Sequence, residues 1–127
     1  MVRNFLDLKI WQKAHQLTIN LYALAKNFPA TEQYGLASQI RRSSSSIGAN
    51  IAEGCGQHTS KAIKRYLFLA YGSLQELKYH ILLAKDVGYI VSEKFEAINN
   101  DCILLSKMIY AFINKMPSNT RYLLPDA

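Results

Sequence analysis

At 127 residues, half of them hydrophobic, the chain has the material for one domain with a real core, which excludes intrinsic disorder and any dependence on disulfides or metal for folding. Fifteen Lys/Arg against nine Asp/Glu leave a net charge of +6. That charge is uneven: residues 1–64 hold eight Lys/Arg against three Asp/Glu, and residues 65–127 hold seven against six, so the basic first half suits a polyanion partner.

The first helix is predicted to open at Asp7, whose carboxylate can accept from the free amides of the first turn. Leu6 and Trp11 are spaced for a hydrophobic staple across that start. Ile10, Ala14, Leu17, Leu21, Leu24 and Phe28 then recur at steps of four and three, and Pro29 closes the segment. A second helix is predicted from near Thr31 to the glycines Gly54 and Gly56, with Leu36, Ile40, Ser44, Ile47 and Ile51 on one face. Its middle, Ser43 to Ser46 with Gly48 and Ala49, is made of poor or indifferent helix formers, which are tolerated where another helix must approach closely. Arg41 and Arg42 lie 100° and 200° around from Ile40, so an outward guanidinium pair on a rigid helix is expected.

The third helix is predicted to open near Thr59 or Ser60, with Ile63, Leu67, Ala70, Leu74, Leu77, Ile81 and Ala84 as its stripe and Gly88 as its stop. It carries Tyr66, Phe68, Leu69, Tyr71, Tyr79, Leu82 and Leu83 besides, so its middle is apolar nearly all round. In a bundle each helix normally keeps one face wet, so this surplus predicts a subunit interface, with Tyr66, Phe68, Tyr71 and Tyr79 as its candidates. The fourth helix is predicted from Ser92, with Glu93 favoured by the dipole of the first turn and Phe95, Ile98, Cys102, Leu105, Ile109 and Phe112 inward, ending before Pro117. Sustained 3.5-residue spacing with short connections gives an all-α, antiparallel up-and-down four-helix bundle over residues 1–116. Residues 117–127 are expected to be a flexible tail, whose Tyr122, Leu123 and Leu124 could dock on a neighbouring subunit.

YGLASQIRR, SIGANIAEG, LFLAYGSLQEL and FLDLKIWQKA, in that family's order over roughly Phe5 to Met116, resemble the small four-helix-bundle family encoded by intervening sequences of bacterial large-subunit ribosomal RNA genes. The accessory protein of diversity-generating retroelements is a relative of that family. The resemblance implies a ring-like homopentamer and a partner that is nucleic acid or a nucleoprotein. After its AEG motif the family commonly places a second glycine and then an arginine. Here Gly56 is followed by Gln57, which removes one charge per subunit that His58 replaces only when protonated.

Catalytic apparatus is sparse, and the chain is expected not to be an enzyme and to need no cofactor or metal. No glycine-rich phosphate loop or H-E-x-x-H motif is present. Cys55 and His58 form half of a zinc pattern with no second half, and nothing nearby would orient the histidine for a cysteine nucleophile. Glu53 and Glu76 read as semi-buried carboxylates paired with Arg41, Arg42 or a serine hydroxyl, and neither has the E-x-x-H spacing of di-iron bundles. Cys55 and Cys102 read as buried small apolar residues of a reducing compartment. No apolar run approaches the ~20 residues of a membrane span, and MVRNFLDLKIW lacks the apolar centre of a signal peptide, so a cytoplasmic location is expected.

The basic clusters carry the function. Lys61, Lys64 and Arg65 fall within two turns of the third helix beside His58, and Lys9 and Lys13 form a second spaced pair on the first. Arg41 sits about four turns from the loop joining helices two and three, so it and Arg42 need not share a patch with Lys61. The aromatics are assigned to core or interface stripes, leaving no platform for stacking bases. Two readings follow. In one, a non-enzymatic oligomeric bundle binds structured RNA or DNA by charge and shape through Arg41, Arg42, Lys61, Lys64 and Arg65, together with a nucleic-acid enzyme. In the other, the ring is a protein–protein scaffold that ignores nucleic acid.

Overall fold

The computed structural model describes residues 4–117. Four α-helices occupy them: α1 (Lys9–Ala25), α2 (Leu36–Cys55), α3 (Ser60–Asp86) and α4 (Ser92–Lys115), with single 3₁₀ turns at Phe5–Asp7 and Ala30–Glu32. Each helix packs on the next and α4 closes against α1, and the helix backbones approach closely only between these neighbours. Cross-helix contacts run antiparallel throughout: Ser46 meets Ser73, Gly54 meets Tyr66, and Tyr71 and Lys85 meet Tyr110 and Phe95. This is the up-and-down bundle that the spacing predicts. The tail trio Tyr122, Leu123 and Leu124 lies outside the described residues.

The predicted stripes form the core. In α2, Leu36, Ile40, Ser44, Ile47 and Ile51 are all buried, as are all seven stripe residues of α3. Leu24, Phe95 and Phe112 are half-buried at the edges of theirs. The serines do what the composition suggests, since Ser43 and Ser44 are buried and need no external partner. Their hydroxyls donate to the carbonyls of Gln39 at 2.8 Å and Arg41 at 3.1 Å, one turn back. A hydroxyl satisfied inside its own helix lets α1 and α3 approach α2 closely on both flanks. Cys55 and Cys102 are both buried.

The helix starts depart from expectation. Asp7 does not cap α1; it belongs to the 3₁₀ turn, whose cap is Asn4 through a 3.0 Å bond from the Leu6 amide. Leu6 is half exposed, and the Trp11 ring meets Phe5 edge-on at 4.9 Å. The second helix starts at Leu36 rather than near Thr31. Gln33 first closes α1, its side-chain amide donating to the carbonyls of Ala25 and Phe28 at 3.0 Å each. Glu32 then opens α2 by accepting from the Leu36 amide at 3.0 Å. At Gly35 a Cβ would stand 2.6 Å from the Glu32 carboxylate oxygen, so a larger residue there would push that side chain from its cap. The Thr59 cap and the Gly88 stop at φ +91° are as predicted.

Burial raises the Cys102 thiol from its ordinary 9.0 to about 12, with Lys78 pulling it back and Asp101 adding to the rise. The folded chain thus holds this proton more tightly than the unfolded one. Its contribution to stability is intact below pH 9 and is lost as pH climbs from 9 towards 12. The loss reaches about 4 kcal/mol at the top of that window. Denaturation midpoints measured across it should fall more steeply for the wild type than for Cys102→Ala, and parallel curves would refute the assignment.

Candidate functional site

Two of the five predicted phosphate-binding residues come together as expected. Lys61 and Arg65 are exposed one turn apart on α3, and with Gln57, Thr59, Ala62 and Tyr66 they line an open depression beside the α2–α3 turn. The sequence forces this placement. Gly54 and Gly56 end α2, Thr59 caps α3 by accepting from the Ala62 amide at 3.2 Å, and the first turn of α3 therefore aims its side chains out over the turn. Tyr66 forms the inner wall because Gly54 has no side chain: a Cβ at that glycine would stand 3.1 Å from Tyr66 Cβ. Lys64 is half-buried and lies around the helix from the pair, towards α4.

Arg41 and Arg42 separate from each other. Arg42 is exposed, as predicted. The outward display expected of Arg41 is not what the structure has: its guanidinium donates to the Gln33 carbonyl at 2.7 Å and reaches the Gln33 side-chain oxygen at 3.4 Å. Arg41 ties the α1–α2 connection to α2, because a planar guanidinium offers several donors in a fixed fork to a turn rich in carbonyls. Glu32 completes that tie by accepting from the Tyr89 hydroxyl at 3.0 Å, and this bond raises the Tyr89 pKa. Glu32, Gln33 and Tyr89 are a network that sequence reasoning missed, since Glu32 and Tyr89 are 57 positions apart.

The heights of the two basic regions also separate them. With Gly54 level with Tyr66 and Ser46 level with Ser73, Arg42 lies roughly 18 Å along the bundle from Arg65 and roughly 24 Å from Lys61. One protomer thus carries two separate exposed basic points, one at the α2–α3 turn and one on α2. Of the other spaced pair, Lys13 is engaged with Asp101 at 3.1 Å, which joins α1 to α4.

The expected carboxylates are corrected too. Glu53 and Glu76 are exposed rather than semi-buried, because both fall on the outward side of their helices. Glu76 pairs with His80 at 3.2 Å, within its own helix and not with Arg41 or Arg42. Cys55 is buried while His58 is exposed, so the half zinc pattern does not converge. Among the described residues no three His, Cys, Asp or Glu side chains are grouped to hold a metal ion, and no helix is long and apolar enough to cross a membrane.

The four interface aromatics divide evenly. Phe68 and Tyr79 are 51% and 59% exposed on the outer face of α3, with Leu69 and Leu82 beside them. Tyr66 and Tyr71 are half-buried within the protomer, Tyr66 over Gly54 and Tyr71 against Tyr110 at 5.9 Å between ring centres. The flanks of α3 that face α2 and α4 use them internally.

A second open feature was not expected. Between α1 and α2 runs a groove lined by Phe5, Trp11, His15 and Tyr22 on one side and Ser45, Gly48, Ala49 and Ala52 on the other. Trp11 and His15 stack nearly parallel at 4.7 Å and 11°. Trp11 packs over Gly48, its indole nitrogen 3.4 Å from where a Cβ would be. These aromatics are neither core nor outer-face residues. The signal for them in the sequence is Trp11, His15, Thr18 and Tyr22 at steps of four, three and four, one flank away from the core stripe.

Comparison with known proteins adds the following. The model of the 23S rRNA-intervening sequence protein family matches residues 6–111. A crystal structure of a protein with unknown function from the S23 ribosomal protein family of Bacteroides thetaiotaomicron is similar at a TM-score of 0.76 and 30% identity, covering 84% of this chain and 99% of that one. No curated protein matches the chain.

Proposed function

The chain belongs to the 23S rRNA-intervening sequence protein family, and from that premise we propose that it is a non-enzymatic, self-assembling basic bundle of the cytoplasm that binds structured RNA or DNA by charge and shape. The observation that carries this reading is the exposed Lys61–Arg65 pair in an open depression at the α2–α3 turn. Two cations one turn apart are spaced for neighbouring phosphates of a backbone, and Gln57 and Tyr66 offer polar groups to sugar or phosphate without reading a base edge. A ring of protomers, which the family resemblance implies as a pentamer, repeats the pair and so multiplies a weak contact into a collar. A nucleic-acid enzyme working on the same nucleic acid is the further partner this reading accommodates.

The exposed Phe68 and Tyr79 favour self-assembly and equally fit a second reading, a scaffold ring that docks proteins and ignores nucleic acid. Titrating an RNA hairpin and a DNA duplex at two salt concentrations separates the two. Tight binding that weakens steeply with salt supports the first; negligible binding at low salt overturns it and leaves the scaffold.

A further inference from the structure

We propose that the α1–α2 groove holds the base of an unpaired nucleotide, with Arg42 and Lys26 taking its phosphates. The inference rests on the nucleic-acid reading above and narrows the ligand to strand that is not paired. It begins from the stacked rings. Trp11 and His15 already form a nearly parallel pair, and His15 is exposed. Tyr22, also exposed, follows His15 by seven residues on the same side of α1. Seven residues of helix rise about 10.5 Å. A flat ring midway would lie about 5 Å from each, within the spacing at which aromatic rings stack with an offset. The half-buried Thr18 forms the floor of that interval, its hydroxyl donating to the carbonyls of Ala14 at 2.9 Å and Ser44 at 3.0 Å.

The facing wall does not obstruct a planar group. Ser45 and Ala49 are exposed, Gly48 has no side chain, and the open groove offers about 350 Å³. A neutral aromatic slot would suit many apolar groups, and charge chooses among them. Arg42 is exposed one turn from Ser45 on α2, and Lys26 is exposed one turn beyond Tyr22 on α1. The carboxylates Asp7 and Glu53, both exposed, belong to the opposite end, near Phe5 and Ala52. The groove is therefore aromatic along its length and cationic at one end, which complements a base joined to a phosphate. A duplex keeps its bases stacked inside and presents no ring to this slot, whereas a loop, bulge or single strand does.

The chain has one tryptophan, and it stands in this groove, so its emission reports occupancy directly. Oligouridylate should change Trp11 emission in the full-length protein, and its affinity should fall about tenfold in His15→Ala and again in Tyr22→Ala. Both side chains are exposed, so neither truncation opens a cavity. Blunt duplex, held at Lys61 and Arg65, should bind both variants as it binds the wild type. Duplex binding with no Trp11 response to oligouridylate would overturn the groove and leave the nucleic-acid reading standing, whereas failure of both ligands would overturn both. Uridine monophosphate is the control for source. A response as strong as that to oligouridylate would place a free nucleotide in the slot and overturn the assignment to a strand. Emission that shifts with protein concentration but not with oligouridylate would give the groove to a second copy of the chain and equally overturn the proposal.

Discussion

Replacing Lys61 and Arg65 together with alanine should lower affinity for an RNA hairpin at low salt by at least tenfold and reduce the slope of log affinity against log salt by about two for each protomer in contact. Each side chain is exposed and lies in the same depression, so removing both deletes two phosphate contacts per protomer without touching the core. A loss uniform across sequences is expected, because backbone contacts carry no base information. Arg41→Ala supplies the contrast. Its guanidinium holds the Gln33 carbonyl at 2.7 Å, so its removal should cost about 1.5–3 kcal/mol of stability and leave the salt slope unchanged. A slope that moves with Arg41 and not with Lys61 and Arg65 would refute the assignment of the cations.

The two arginines show how far sequence reasoning reaches. Periodicity places Arg41 and Arg42 off the core stripe of α2, and both are off it. It does not show that a turn carbonyl waits beside one of them, because that contact depends on where the α1–α2 connection folds back. The connection is itself fixed by Glu32 reaching Tyr89 across the bundle. The core was legible because burial repeats every three or four residues, and a repeating signal survives errors at single positions. Caps and connections have no such redundancy, and a carboxylate such as Asp7 satisfies the capping pattern without being used.

The site was legible in proportion to how local it is. Lys61 and Arg65 share one helix and one turn, so their spacing settles their proximity. The aromatic groove needs two helices. Its aromatics follow a helical step on α1 and its small residues a helical step on α2, but only antiparallel pairing in the right register sets Trp11 opposite Gly48. Assigning the aromatics mainly to core or interface missed it, because half-exposed rings on a flank answer to neither. The same register explains why Tyr66 and Tyr71 are half-buried inside the protomer: α3 has two neighbours, and each takes one flank.

What those neighbours leave uncovered gives the second large effect. Substituting Phe68 and Tyr79 together with glutamate should convert the proposed assembly to single chains of 14.4 kDa, with helix content unchanged. About half of each ring is accessible, which for an aromatic leaves roughly 100 Å² to cover and contributes about 2–3 kcal/mol on burial. Losing both contributions weakens association by about three to four orders of magnitude, before any repulsion between the new carboxylates. The substitutions do not strain the fold, because both positions lie opposite the buried stripe of α3. Sedimentation of wild type and variant decides the matter. A variant that stays assembled would move the interface off this face of α3, and a wild type that is already a single chain would overturn self-assembly. A monomeric, folded variant would also show what the ring does for binding: if the collar acts by multiplying Lys61 and Arg65, the variant should bind hairpin no more tightly than one protomer's two phosphate contacts allow.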